Sequence, residues 1–474
     1  MIGSLTLKQV STEIMPATFI EPQAPIEPQA LVEPQAPAAD VHGRFTRVST
    51  DTRSLQAGDL FVALRGDNFD GHRFVGDALK RGACAVVVDT RQTQLAAPQL
   101  VVADTIQALG QIAALNRAAF RGRLVAITGS SGKTSVKGMA ASILGQRGST
   151  LATRGNLNNH IGVPLTLLEL NDEHEFAVIE MGANSAGEIE YLTGLAGPDV
   201  ALVNNVMPAH LEGFGSIDGV ARAKSEIFSG LGAGGIAVVN LDDNYSGQYL
   251  QQLRGKNIVT FSLDQDAADF RAAQHGSDAA GNVWFELQGP AGTARIQLRV
   301  MGQHNVANAL AAAACSFAVG AELADIRAGL ESFQNIAGRM QVTAGIAGSL
   351  IIDDSYNANP SSVRAAIDTL VARSGETVLV LGDMAELGDE AREQHHQIGA
   401  YARSRGAARL VTVGQLSQAA SAAFGAGAEH FATHEAAVAH LRPLLHGDMV
   451  LLVKGSFSSR MGTVVRALAT GGEK

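Results

Sequence analysis

The segment TGSSGKTS, Thr128 to Ser135, follows the apolar run RLVAI and precedes a stretch of helical composition. Glycines in such a turn let backbone N–H groups face phosphate oxygens. A following Lys neutralises β- and γ-phosphate charge, and a Thr hydroxyl can ligate Mg2+. Gly129, Ser130, Ser131, Gly132, Lys133, Thr134 and Ser135 therefore form the candidate nucleotide-phosphate site. Ile127 stands where a full eight-position Walker sequence has its first glycine. The reading thus rests on the strand context and the GKT triplet, against the plain alternative of a Gly-rich strand-to-helix turn.

Other residues of chemical character sit where strands are expected to end. Glu180 closes FAVIE, a position suited to a Mg2+ ligand or water orienter, or to capping the next turn. His210, in PAHLEGFGS, reads equally as a metal ligand or a polar loop residue. GNLNNHIGVP concentrates Asn156, Asn158 and Asn159, donors and acceptors that in isolation read as a turn. Lys224, in VARAKSEIF, reads by itself as a solvated helix lysine. Asn305 and Asn308 stand at i, i+3, able to hydrogen-bond an adenine edge, or else begin a helix as a cap. Arg339 lies near an expected domain boundary, where a mobile domain could bring a cation onto phosphate. DDSYNANPSS, Asp353 to Ser362, and VKGSFSSR, starting near Lys454, each follow an expected strand.

The elements that must position these residues are legible as apolar runs. RLVAITG, FAVIEMG, DVALVNNV and GIAVVN predict strands buried on both faces, as do SLIIDDS, ETVLVLGDM, ARLVTVG and DMVLLVKG. Their alternation with helical stretches predicts parallel sheets, in two sets divided near residues 337 and 338. Before them, GACAVVVD predicts a buried strand, and TIQALGQIAALNRAAF a helix joining a first domain to the second. NALAAAACSFAVG, Asn308 to Gly320, predicts a small-residue helix. Ile20 to Ala38 repeats Glu-Pro-Gln-Ala every six residues, which disfavours helix and central strand and predicts a surface loop or a partner-docking motif.

A length of 474 residues with 46% apolar content supports several cores and more than one domain. The net charge of −10 argues against a nucleic-acid binder, yet leaves room for a local cationic pocket. Cys84 and Cys315 read as buried thiols, not as a disulfide or a metal pair. The absence of a long apolar run and of a charged start followed by an apolar core predicts a cytoplasmic protein with no membrane span.

TGSSGKTS, GNLNNHIGVP, VIEMGA, HLEGFGS, AKSEIF, HNVANALAA, AGR, DDSYNANP, GDMAELG and VKGS occur in the order in which the Mur ligases carry such stretches. Nearly the whole chain from Ser49 onward resembles that family, and STDTRSLQAGDLFVALRG, GDNFDGH, HLEGFGS and SYNANP resemble its dipeptide-adding branch. The resemblance implies an α/β protein of three domains. These are a small UDP-sugar domain over 1–104 with the Pro-rich repeat (20–38) inserted, a central P-loop ATPase domain with a largely parallel sheet over 105–337, and a C-terminal Rossmann-like domain over 338–474 that closes over the nucleotide. It implies a monomeric ATP-dependent amide ligase of peptidoglycan precursor synthesis. The partners would be UDP-N-acetylmuramoyl-tripeptide and D-Ala-D-Ala, joined through an acyl phosphate. A sibling amino-acid-adding ligase or a folylpolyglutamate synthase-like ligase is the alternative.

Residue by residue, the resemblance implies that Lys133 and Thr134 hold ATP phosphates and a first Mg2+. Glu180 and His210 would belong to the metal sites, and Lys224 falls where the family carries a carbamylated lysine acting through a second Mg2+. Asn305 and Asn308 would contact adenine, and Arg339 and Asp354 the phosphates and ribose. Asp51, Thr52, Arg53 and the Gly66 to His72 stretch with Asn68 would line the uridine-nucleotide site. Asn156, Asn158, Asn159, Tyr356, Asn357, Asn359 and Lys454 would face substrate, with Lys133, Lys224, His210 and Arg339 carrying the catalysis. The chain departs from the pattern at the Pro-rich repeat, at Phe457 in place of a basic residue after KGS, and at Gln303 in place of Arg before HN.

Overall fold

The computed structural model describes residues 1–14, 17–20, 44–66, 69–95, 97–208, 211–290 and 292–470. The Glu-Pro-Gln-Ala repeat beyond Ile20, Asn68 and His210 lie outside the described residues. The chain divides into two compact units. One comprises Met1–Ala126, Gly148–Gly182 and Glu190–Pro198; the other comprises Ile127–Arg147, Ala183–Ile189 and Asp199–Lys474.

In the first unit a five-stranded sheet runs Ala17–Ile20, Gln99–Val102, Ala85–Val88, Leu60–Val62, Val48–Ser49. Its first pairing is antiparallel and the others are parallel. Ala85–Val88 is buried throughout, as GACAVVVD predicts. The helix Thr105–Ala119 starts at Asp104, whose carboxylate accepts from Ile106 N and Gln107 N, and it buries Leu109, Ile112 and Ala113 at helical spacing. Thr150–Ala152, Phe176–Glu180 and the start of Arg123–Thr128 form a second group of strands.

In the second unit the end of Arg123–Thr128 is followed across the sheet by Val200–Val203, Ile236–Asn240 and Asn257–Ser262, the last three paired in parallel. The sheet then departs from the expected pattern. Phe270–Ser277, Asn282–Gly289 and Gly292–Met301 are an antiparallel meander. Short turns join these strands where a crossover helix would be needed for parallel pairing. Alternate residues Val283, Phe285 and Leu287, and Ile296, Leu298 and Val300, are buried. That period-2 pattern marks strands with one wet face, unlike the continuous apolar runs. The helix expected from Asn308 begins earlier, spanning His304–Ala318, after Gly302 breaks the last meander strand at φ +89°.

The remaining sheet orders Gln341–Ala344, Leu350–Asp354, Met449–Lys454, Glu376–Gly382, Arg409–Val413 and Ala428–Phe431. Only Gln341–Ala344 is antiparallel. Alternate side chains feed two cores. Ile352, Leu379, Leu381 and Leu452 pack with Val363, Ile367 and Ile398 on one face; Ile351, Val380, Leu451 and Val453 pack with Leu441, Val464 and Leu468 on the other. Helices on both faces explain why these strands read as unbroken apolar runs. All eight such runs form strands. Cys315 is buried as expected, but Cys84 is only partly so. It sits just before the fully buried strand Ala85–Val88.

Candidate active site

The phosphate loop is held from behind by asparagines. After Thr128 the backbone turns through Gly132 at φ +77°, and the helix Lys133–Leu144 begins. Ser130 N donates to Asn205 O (2.9 Å), and Ser131 N donates to Asn205 Oδ1 (2.9 Å). Asn204 Nδ2 donates to Ser131 O at 2.9 Å and to Asn308 Oδ1 at 3.1 Å. A Cβ on Gly132 would stand 2.3 Å from Asn308 Oδ1 and 2.6 Å from Asn204 Nδ2, so only glycine fits. Lys133 Nζ rests on Gly129 O at 2.8 Å, the mouth of an anion-binding helix N-terminus. Ser135 is half-buried one position beyond Thr134.

A cavity of about 610 Å3 opens from this loop. It collects residues from the carboxyl ends of parallel strands, as open α/β sheets do. Asn204 and Asn205 follow Val200–Val203, Asp242 and Asp243 follow Ile236–Asn240, Asp354 ends Leu350–Asp354 with Asn357 beyond it, and Lys454 ends Met449–Lys454. Arg339 bridges the two sets. Its Nη2 donates to Thr134 Oγ1 at 3.0 Å, and its guanidinium lies over the Tyr356 ring at 4.4 Å. Lys454 Nζ donates to Asp354 Oδ2 at 2.5 Å and to Asn357 O at 2.9 Å. Truncating one member of such a buried pair leaves an uncompensated charge, which costs about 3–5 kcal/mol.

Asn305 and Asn308 are buried and serially bonded. Asn308 Nδ2 donates to Asn305 Oδ1 at 3.0 Å, and Asn305 Nδ2 donates to Met301 O at 2.8 Å. Neither is the helix cap, since Gln303 holds that position. Asn359 is a cap: its Oδ1 accepts from Ser362 N at 2.8 Å and starts the helix Pro360–Val371. Tyr356 packs on Phe457, ring centres 5.9 Å apart.

Lys224 is 2% exposed near the end of the helix Ile217–Ser225, with Nζ 5.8 Å from the Phe214 ring centre. Burial, and then the charge of Lys133, pushes its pKa well below the ordinary lysine value. The solvated-lysine reading is therefore corrected: Lys224 is a buried amine that favours the neutral form.

In the first unit Glu180 is buried at the end of Phe176–Glu180, where Oε1 accepts from Asn158 Nδ2 at 2.8 Å and the backbone N donates to Thr153 Oγ1 at 2.9 Å. Asn159 Oδ1 accepts from Gly162 N at 2.9 Å, and Asn156 is exposed. Of the GNLNN asparagines, one thus orients a carboxylate and one closes the turn. Asp51 and Arg53 form an exposed ion pair beside half-buried Thr52, with Nη2 to Oδ2 at 2.6 Å. The Arg53 hydrogen bonds hold the Asp51 carboxyl down at about 2.

Sequence reasoning missed Asn204, Asn205 and Asp243 as site residues. Asp243 Oδ2 accepts from Val206 N at 2.6 Å and steadies the segment carrying both asparagines, while burial raises its pKa. Polar residues directly after unbroken apolar strands, NN after DVALV and DD after GIAVVNL, were the signal available.

The UDP-N-acetylmuramoyl-tripeptide–D-alanyl-D-alanine ligase of Escherichia coli (strain K12) is 48% identical over 427 residues, covering 90% of this chain and 94% of that protein. The chain belongs to the Mur ligase family. Its models match in three pieces: the catalytic domain over residues 44–117, the Mur ligase middle domain over 127–316, and the glutamate ligase domain over 338–457. The crystal structure of MurF from Acinetobacter baumannii superposes on this Mur ligase with a TM-score of 0.89 at 36% identity, covering 100% of each chain. MurF ligase from Thermotoga maritima, solved in complex with ADP, gives 0.78 at 27% identity, covering 89% of this chain and 96% of that one. Among the described residues no helix is long and apolar enough to cross a membrane.

Proposed function

We propose that this Mur ligase uses ATP to join the terminal carboxylate of UDP-N-acetylmuramoyl-tripeptide to the amine of D-Ala-D-Ala. The observation that carries the reading is one cavity lined by the phosphate loop and by Arg339, Asp354 and Lys454. The 48% identity to a relative bearing that activity's name supports the choice of substrates. We further propose three domains bounded near residues 104 and 337, acting as a cytoplasmic monomer in peptidoglycan synthesis, and so in cell shape and division.

A carboxylate is a poor acyl donor because oxide is a poor leaving group. In the proposed first step a carboxylate oxygen bonds to the γ-phosphorus and ADP leaves, giving an acyl phosphate. The dipeptide amine then attacks the carbonyl carbon, loses a proton, and inorganic phosphate departs. Bringing anion to anion requires cations, and Lys133 and Arg339 supply two. Asn305 and Asn308 would meet the adenine, and Asp354 the ribose. Asp51, Thr52, Arg53 and Asn68 would bind the uridine nucleotide; Asn156, Asn158, Asn159, Tyr356, Asn357, Asn359 and Lys454 would face the peptide.

Two Mg2+ ions would be held by Thr134, Glu180, His210 and a carbamate on Lys224. Among the described residues no three His, Cys, Asp or Glu side chains cluster to hold a metal. Mg2+ commonly takes one or two carboxylates and completes its shell with phosphate and water. When bound, the ions supply charge neutralisation at the phosphates. Burial favours the neutral amine of Lys224, the form that can take up CO2.

The test is phosphate release with UDP-N-acetylmuramoyl-tripeptide and competing amines. D-Ala-D-Ala should exceed D-Ala, L-Lys or D-Glu by roughly 30-fold to 10⁴-fold in kcat/KM. A single amino acid leaves two polar groups of the dipeptide pocket without partners, each costing about 1–3 kcal/mol. Equal use of a single amino acid would assign a sibling activity.

A further inference from the structure

GDMAELG, Gly382 to Gly388, has no part in the site described so far. It leaves the strand Glu376–Gly382 beside the strand Met449–Lys454, with Leu381 paired to Lys454. The two loops that follow therefore emerge side by side. A Cβ on Gly382 would stand 2.5 Å from Met461 Cγ, and one on Gly455 would stand 2.3 Å from Ser459 Oγ. The Gly455 Cβ would also stand 3.2 Å from Gly382 Cα, so the two backbones run close together, and specific bonds join them.

Those bonds form a chain. His395, fully buried on the helix Ala391–Ser404, has Nδ1 2.6 Å from Ala391 O. A carbonyl only accepts, so Nδ1 carries the proton and Nε2 is an acceptor. Met384 N donates to that Nε2 at 2.9 Å. The next residue, Ala385, donates its N–H to Ser456 Oγ at 2.7 Å, and Ser456 N donates to Asp383 O at 3.0 Å. Ser456 Oγ donates in turn to Ala358 O at 3.4 Å. Ser456 stands two residues from Lys454, and Ala358 follows Asn357, whose carbonyl accepts from Lys454. Asp383 anchors the far side, accepting from Gln415 N, Leu416 N and Ser417 N at 2.8–3.1 Å. An apolar side chain would fill the His395 position equally well by volume. What the imidazole adds is an acceptor for a buried N–H that would otherwise go unsatisfied.

We infer that His395 and Ser456 are positioning residues of the nucleotide cavity. His395 fixes the Met384–Ala385 turn, the turn clamps Ser456, and Ser456 sets the loop that presents Lys454 together with Asn357 and Ala358. This rests on the reading of the cavity as the nucleotide site.

The experiment measures ADP affinity of the full chain by calorimetry, with circular dichroism as a check on folding. The variants are His395→Leu, His395→Gln, Ser456→Ala and the His395→Leu/Ser456→Ala pair. His395→Leu and Ser456→Ala should each weaken ADP binding about tenfold, the value of one buried hydrogen bond. Because they act in series, the double variant should also lose about tenfold, not the hundredfold that independent sites give. His395→Gln, whose Oε1 has the reach of Nε2, should bind within a few-fold of the parent. Additive losses, or parental affinity in both single variants, would overturn the inference. Should His395→Leu fail to fold, Ser456→Ala decides: parental affinity there overturns it, and a tenfold loss with parental His395→Gln supports it. A parent chain that binds no ADP would instead overturn the nucleotide reading itself.

Discussion

At the residue scale the buried amine of Lys224 joins stability to function. In the unfolded chain it holds a proton up to the ordinary lysine value of 10.5, and in the folded chain only well below that. Between those values the unfolded state binds more protons, so its contribution to stability rises with pH and is lost as pH falls. Lys224→Met, which keeps the volume, should therefore raise Tm at pH 7 in carbonate-depleted buffer. The gap should narrow as pH approaches 10.5. The variant should be inactive, and added bicarbonate should stabilise the parent alone. A Tm that falls at pH 7 would contradict the buried neutral amine. Lys133→Ala, by contrast, should fold normally and lose roughly 10²-fold or more in turnover, the cost of removing a cation from developing phosphate charge. The sequence made Lys133 legible because Gly129 and Gly132 precede it in a recognisable turn. Lys224 was not, because a lysine in a helix that also carries the exposed Asp218 and Arg222 reads as one more solvated charge, whereas the fold turns it inward with Gly219, Val220, Ala221, Ala223 and Ser225.

At the scale of elements, the parallel strands were readable because burial on both faces makes them apolar without interruption. The meander Phe270–Met301 was not, since its strands carry polar residues at every second position and resemble loop sequence. The clamp behind the phosphate loop was also invisible. It joins Asn204 and Asn205 to Asn308, which lies 104 residues beyond Asn204 and meets it only once the strands are in order. Gly132→Ala tests that clamp. Left-handed backbone costs a non-glycine residue about 1–2 kcal/mol, and the new Cβ must displace two asparagine side chains. Thermal unfolding should show a loss of that size, and the KM for ATP should rise at least tenfold. An unchanged KM would mean that the asparagines do not set the loop.

At the scale of the whole molecule, the chain passes repeatedly between its two compact units, so neither is one continuous stretch. The family resemblance implies contiguous domains, while compactness groups the residues into interleaved units, and strand patterns in the sequence report burial and not which neighbours supply it. The Glu-Pro-Gln-Ala repeat is a different matter, since its composition cannot bury a core. Ala17–Ile20 is anchored on Gln99–Val102, and Arg44–Phe45 on Leu5–Thr6. Excising residues 21–38 and closing with a short Gly-containing turn should leave kcat and KM within a few-fold of the parent. A large rise in KM for the UDP-sugar would place the repeat in that site. The two thiols fall one in each unit, Cys84 in the first and Cys315 in the second, and neither is in a disulfide. Cys315 is fully buried, and burial raises its thiol pKa far out of the reactive range. An alkylating reagent thus reads two clocks in one molecule. Partly exposed Cys84 should be modified in the folded state, and buried Cys315 only as often as the second unit opens. Saturating nucleotide should slow the second clock and leave the first running at its own rate.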